Sequence, residues 1–197
     1  MSQIRRRDRK CKNMDQDKIK QGIALLLEGI GEDPSREGLL ETPERIARMY
    51  EEICAGYTAS AGEHLSHTFT SDHTGIVLER DIPFYSMCEH HMMPFFGKVH
   101  IAYIPKGKVV GISKLARTVE VYARRLQIQE QMTAQIADAI MEHLQPAGVM
   151  IYVEAEHLCM SMRGVQKPGT VTATMAVRGC FEGDQQLQQT FWQMVKG

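Results

Sequence analysis

Residues 111–146, GISKLARTVEVYARRLQIQEQMTAQIADAIMEHLQP, decide how the rest of the chain is read. Leu115, Val119, Tyr122 and Leu126 recur at three- and four-residue intervals, and Met132, Ile136, Ile140 and Leu144 do the same after a glutamine-rich break. Such spacing lines one face of a helix, so the segment predicts two amphipathic helices in succession. On either side the period falls to two. GIVLERDIPFY (75–85) and KVHIAYIP (98–105) precede the helices, GVMIYVEAEHLCM (148–160) and TVTATMAVRGCF (170–181) follow them, and all four read as strands. Strand neighbours strand and helix neighbours helix. The class is therefore α+β: an antiparallel four-stranded sheet with two helices inserted between strand pairs (ββααββ), the helices on one face. Its two open edges favour assembly of copies edge to edge.

The flanks add helices. Ile19, Ile23, Leu26, Leu27 and Ile30 fall at helical spacing up to Gly31. Thr42 before Pro43 reads as the N-cap of a second helix faced by Ile46, Tyr50 and Ile53. Residues 58–74 read as a Ser/Thr/His-rich loop, and Asp184–Lys196 as a closing helix carrying Leu187, Phe191 and Val195. The expected divisions are a polar, basic, disordered tail over 1–13, a helical region over 14–57 and a main domain over 58–197.

With 43% hydrophobic and 24% charged residues, a chain of 197 can bury a core without disulfides. A net charge of −1 gives no overall basic field for nucleic acid. No apolar segment follows the basic start MSQIRRRDRKCK, and Ile23–Leu27 is far too short to span a bilayer. Five cysteines at irregular spacing fit a cytoplasmic protein with free or metal-bound thiols.

MCEHHMMP (87–94) sets a thiol, a carboxylate and two imidazoles side by side. Cys88 and His91 have the two-residue gap of turn-borne zinc ligands. A histidine-rich surface loop is the plain alternative. In EAEHLCM (154–160), residues two apart on a strand share a face, so His157 and Cys159 are expected to point the same way. A buried inert thiol beside a hydrogen-bonded histidine would also account for them. Together Cys88, His91 and Cys159 make three ligands and leave a fourth tetrahedral corner for water, with zinc favoured by two thiolates and one imidazole. His90 and His157 are then free to move protons. Cys180 as a fourth ligand would close the site. The H-x-E…P-C-x-x-C deaminase pattern is absent.

Ser113, Lys114 and Arg117 lie at a helix start, where phosphate can bind, though a solvated charged face is the ordinary reading. Arg163 and Lys167 follow Cys159 in a loop around Gly164 and Pro168-Gly169 and could capture an anion. Gln129 and Glu130 sit between the two central helices, where a carboxylate serves equally as a guanine acceptor or a helix-terminal charge.

EDPSREGLLETPERIARMYEEI (32–53), SMCEHHMMPFFGKVHIAYIP (86–105), VVGISKLARTVEVYARRLQIQEQMT (109–133) and VEAEHLCMSMRGVQKPGTVT (153–172), taken in order, resemble the zinc-dependent GTP cyclohydrolase I family. The resemblance covers about residues 15–182. It implies sheets joined into a barrel by five subunits, a homodecamer of two such rings, and active sites between subunits. It implies hydrolysis of GTP at carbon 8 of guanine, formate release and ribose rearrangement to 7,8-dihydroneopterin triphosphate. By that resemblance Cys88, His91 and Cys159 hold Zn2+, which activates the attacking water. His90 protonates the imidazole-ring nitrogen, and His157 handles protons in the attack, ring-opening and ribose steps. Ser113 stands by the ribose or phosphate. Glu130, helped by Gln129, anchors the guanine edge, and Lys114, Arg117, Arg163 and Lys167 bind triphosphate. Leu126 replaces a proline that many members carry before the glutamine-rich turn. A structural zinc protein that binds nucleotides without turnover, and a purine- or pterin-binding relative without catalysis, are the competing readings.

Overall fold

The structure, a computed structural model, describes residues 14–197; the tail expected over 1–13 lies outside the described residues. Asp15 caps α1 (Gln16–Gly29), its carboxylate accepting from the Lys18 N–H. The second helix, α2 (Thr42–Ile53), starts at Thr42 itself, with Glu41 in the cap position and no side-chain cap bond. Thr42 is thus the first helical residue rather than the cap, and Pro43 behind it still loses nothing, because first-turn N–H groups have no helical partner. The loop expected over 58–74 holds a short helix, α3 (Ala61–Leu65), and a strand, β1 (Thr68–Thr70).

The main strands follow the two-residue period. These are β2 (Val77–Cys88), β3 (Pro94–Ile104), β6 (Gly148–His157) and β7 (Val171–Gly179), each antiparallel to its neighbour in the order β2-β3-β6-β7. A short strand, β4 (Lys108–Val110), pairs with β1 apart from this sheet. The helix α4 (Ile112–Ala123) ends before Leu126, which the spacing had placed on it. Leu126 and Gln127 form β5, parallel to β2 against Met87 and Cys88, and the Leu126 N–H donates to the Tyr57 hydroxyl. The sheet therefore has five strands, not four, because ladder bonds at its edge outweigh the helical spacing of one leucine.

The helices α4 and α5 (Gln129–His143) cover one face, where Phe84, Phe95, Val99, Ile101, Val119, Ile136 and Ile151 form the core. Helices are not confined to that face. Ala102 and Met150 point the other way and pack with Phe181 and with Phe191 of α7 (Gln185–Lys196). Gly97 is where β3 and β6 approach too closely for a side chain: a Cβ there would overlap the Glu154 carbonyl. Among the described residues no helix is long and apolar enough to cross a membrane.

The register of β2 on β3 shifts between Glu79 and Ile82, and Asp81 in this bulge has φ 60°. Its N–H donates to Nδ1 of His100, 3.3 Å away, and His100 is only 4% exposed. Burial lowers the His100 pKa; Asp81 and Glu154 pull it up, Lys98 and Arg80 push it down. An unfolded histidine takes a proton near pH 6.5, whereas the folded one resists it. The stability tied to neutral His100 is therefore complete above that pH and is lost as pH falls towards the lower folded value. The melting temperature is expected to drop between about pH 7 and 5.5, and by less in a His100→Gln chain. Equal drops in both chains would refute the assignment.

Candidate metal centre

Three segments distant in sequence meet at one end of the sheet. Cys88 closes β2, and the chain reverses through residues 89–93 into β3. Cys88 N–H donates to Met93 O and Met92 N–H to Cys88 O, both at 2.8 Å, which holds the turn tight and leaves His90 and His91 exposed at its tip. Across the sheet, β6 ends at His157, opposite Phe95. Cys159 then lies on a one-turn helix, α6 (Leu158–Ser161), not on the strand expected to carry it. The helical turn, rather than pleat alternation, brings its sulfur to the site.

The metal-binding atoms of Cys88, His91 and Cys159 lie within 4.8 Å of one another, and Cys88 Sγ is 4.0 Å from His91 Nδ1. Around a tetrahedral zinc such donors would stand about 3.3–3.8 Å apart. The group therefore fits a metal after small inward shifts. Burial, then the neighbouring Cys88 sulfur, pushes the Cys159 thiol pKa up. Two sulfurs this close resist joint ionisation unless a cation lies between them. Cys180 does not complete the group. It follows Gly179, which pairs with Gly148 at the start of β6. The ten residues of β6 span roughly 30 Å, so Cys180 stands at the far end from His157.

Around the triad the structure gathers several expected residues. His90 is exposed with its ring 6.3 Å from that of His91, edge to face. His157 is half-buried, stacked on Phe95 at 4.5 Å with 2° between the rings, and its Nε2 is 2.8 Å from Gln129 Oε1. Burial lowers its pKa, and nearby Glu130 opposes that. Arg163 places a guanidinium nitrogen 3.0 Å from His91 Nε2. Its loop, which also carries Lys167, is pinned by Glu156, whose carboxylate accepts from the Ser161 hydroxyl at 2.8 Å and the Gly169 N–H at 3.0 Å.

Ser113, Lys114 and Arg117 are not brought to the triad of the same chain. They lie in the first half of α4, whose last turn leads to β5 beside Cys88; the 12-residue helix is about 18 Å long. There Arg117 lines a shallow pocket of about 180 Å³ with His64, Glu120 and Arg124. His64, placed by sequence in a loop, sits on α3 with its pKa lowered by burial and then by Arg117 and Lys114.

The family model for GTP cyclohydrolase I matches residues 19–196. The chain belongs to the GTP cyclohydrolase I family. GTP cyclohydrolase 1 of Clostridium kluyveri is 58% identical over 183 residues, 93% of this chain and 99% of that one. The Clostridium perfringens protein of the same name is 59% identical over 182 residues, covering 92% and 98%. That of Carboxydothermus hydrogenoformans is 60% identical over 169 residues, covering 85% and 88%. Among solved structures, apo archaeosine synthase QueF-Like aligns with 53% of this chain and 93% of its own at a TM-score of 0.43 and 20% identity, too remote to bear on the site. Neither the Phe95 stack nor the placement of His64 is legible in the sequence. MPFFG and AGEHL contain both, but neither stretch says what its ring faces.

Proposed function

We propose that this protein hydrolyses GTP at carbon 8 of guanine, releases formate and rearranges the ribose to give 7,8-dihydroneopterin triphosphate, the first step of folate and pterin biosynthesis. The observation that carries this reading is a three-donor group with two further histidines beside it, neither of which the group needs. Zinc suits two thiolates and one imidazole, and when bound supplies Lewis-acid activation of water.

The remaining work falls to this chain's own residues. His90, at the solvent edge, gives a proton to the imidazole-ring nitrogen of guanine as carbon 8 loses its double bond. His157, in its drier position, moves protons during ring opening and the ribose steps. Glu130, exposed on the first turn of α5, accepts from the paired donors of the guanine edge. Adenine presents no such pair, so its edge leaves the Glu130 carboxylate unmatched and is bound less well. The N-cap of α5, Ile128, offers no side-chain bond to the first turn, which leaves the main-chain N–H of exposed Glu130 for the guanine carbonyl.

Arg163 and Lys167 meet the triphosphate from the loop beyond Cys159. Ser113, Lys114 and Arg117 complete its binding from a neighbouring copy, with Ser113 at the ribose end. Their distance from the triad within one chain supports a site shared between subunits, in the decamer of two pentamers that the family resemblance implies.

Zinc-loaded protein incubated with GTP is expected to release one formate per GTP and to develop pterin absorbance. A chelator should stop both, and added zinc should restore them. Binding of GTP to assembled, metal-loaded protein without formate release would overturn the proposal.

A further inference from the structure

Gln129 was expected to help hold guanine, yet its side chain is 1% exposed and each of its polar atoms already has a partner. Its amide nitrogen lies 3.2 Å from Val153 O, 3.0 Å from Thr172 O and 3.1 Å from Thr174 Oγ1, and its amide oxygen 2.8 Å from His157 Nε2. These contacts fix which way the amide faces. The Val153 and Thr172 carbonyls only accept, so the NH2 end must meet them; a flipped amide would set its oxygen against two carbonyl oxygens. The oxygen therefore faces His157, and it too only accepts. His157 must carry its hydrogen on Nε2, and in the neutral ring Nδ1 is then the single nitrogen with a free lone pair.

The surroundings hold this arrangement still. The Thr133 hydroxyl donates to Gln129 O at 2.8 Å, and its oxygen is 2.7 Å from Thr174 Oγ1, which ties the start of α5 to β7. The Phe95 ring lies parallel to the imidazole and limits its tilt. We infer that Gln129 is a positioning residue: it fixes His157 as the Nε2–H tautomer, so that His157 takes up and returns protons through Nδ1. The catalytic consequence rests on the role given to His157 above, whereas the tautomer can be read without turnover.

Two measurements test this. In 15N-histidine-labelled protein studied by solid-state NMR at neutral pH, the signal missing from a His157→Asn spectrum is expected to report a protonated Nε2 and a bare Nδ1. A proton on Nδ1, or an even mixture of tautomers, would overturn the inference. In kinetics, Gln129→Leu is expected to lower kcat about 100-fold while the KM for GTP moves less than about threefold and metal content stays at the wild-type level. A rise in KM at constant kcat would instead mark a guanine contact and refute the positioning role. If Gln129→Leu does not fold, the wild-type tautomer still decides. Absence of formate release by the wild-type protein would strike the proposed reaction and leave the tautomer result standing.

Discussion

A Cys159→Ser chain is expected to lose its metal and its formate release together. Serine keeps the size of the side chain but offers a hydroxyl that stays protonated at neutral pH, a poor substitute for a thiolate on zinc. The two donors that remain, Cys88 and His91, belong to a single turn. They close only a local chelate, whereas Cys159 joins that turn to α6 across the sheet. Changes to outer-shell partners of a metal typically weaken it about 10–100-fold, so loss of a direct ligand should exceed the upper end of that range. Metal content by elemental analysis, read beside formate release, checks the result. The thermal midpoint should fall as well, because a metal that binds only the folded chain stabilises it. Cys180→Ser is the control. Its sulfur stands at the opposite end of β6, and metal, activity and melting should all match wild type. Full metal in the Cys159 variant, or loss of metal in the Cys180 variant, would show that the wrong sulfur had been assigned.

Cys159 also shows what the sequence could and could not reveal. Strand alternation would turn it the same way as His157, yet β6 stops at His157 and Cys159 lies on a helical turn. The residue was legible because a thiol near a histidine is unusual chemistry; the backbone that delivers it was not, since a four-residue helix has no period to detect. Cys88 and His91 were easier because one turn sets their geometry. The central strands were legible for a similar reason. Ile101 and Ala102 face two different apolar layers, and the alternation persists through the length of β3. Leu126 misled because one leucine at the correct interval cannot distinguish the end of a helix from a two-residue strand whose partner, Met87, lies far back in the chain. The pairing of Thr68–Thr70 with Lys108–Val110 was hidden by the same separation. For Gln129 the sequence supplied an amide at the right place, but only packing against Val153, Thr172 and Thr174 decides that its side chain faces the protein and not a ligand.

Removal of either spare histidine is expected to separate metal binding from turnover. His90→Ala and His157→Ala should each keep about one metal per chain, as three-ligand zinc sites do, while formate release falls roughly 10²–10⁴-fold, the usual contribution of a positioned acid or base. The two variants should differ in stability. His90 is exposed at the turn, so its loss leaves the fold as it was. His157 stacks on Phe95 and supplies the hydrogen that Gln129 Oε1 accepts. Its removal leaves a gap beside a buried ring and an acceptor without a partner, a penalty of about 1–3 kcal/mol. Activities should therefore be compared well below the lower melting temperature. If both act on one proton path, the double variant should be scarcely worse than the poorer single one, since residues that work as a unit do not contribute additively. Multiplying losses would instead show that the two imidazoles act independently on one rate-limiting transition state. Loss of metal from either single variant would make that histidine a ligand and would undo the division between the residues that hold the ion and those that move protons.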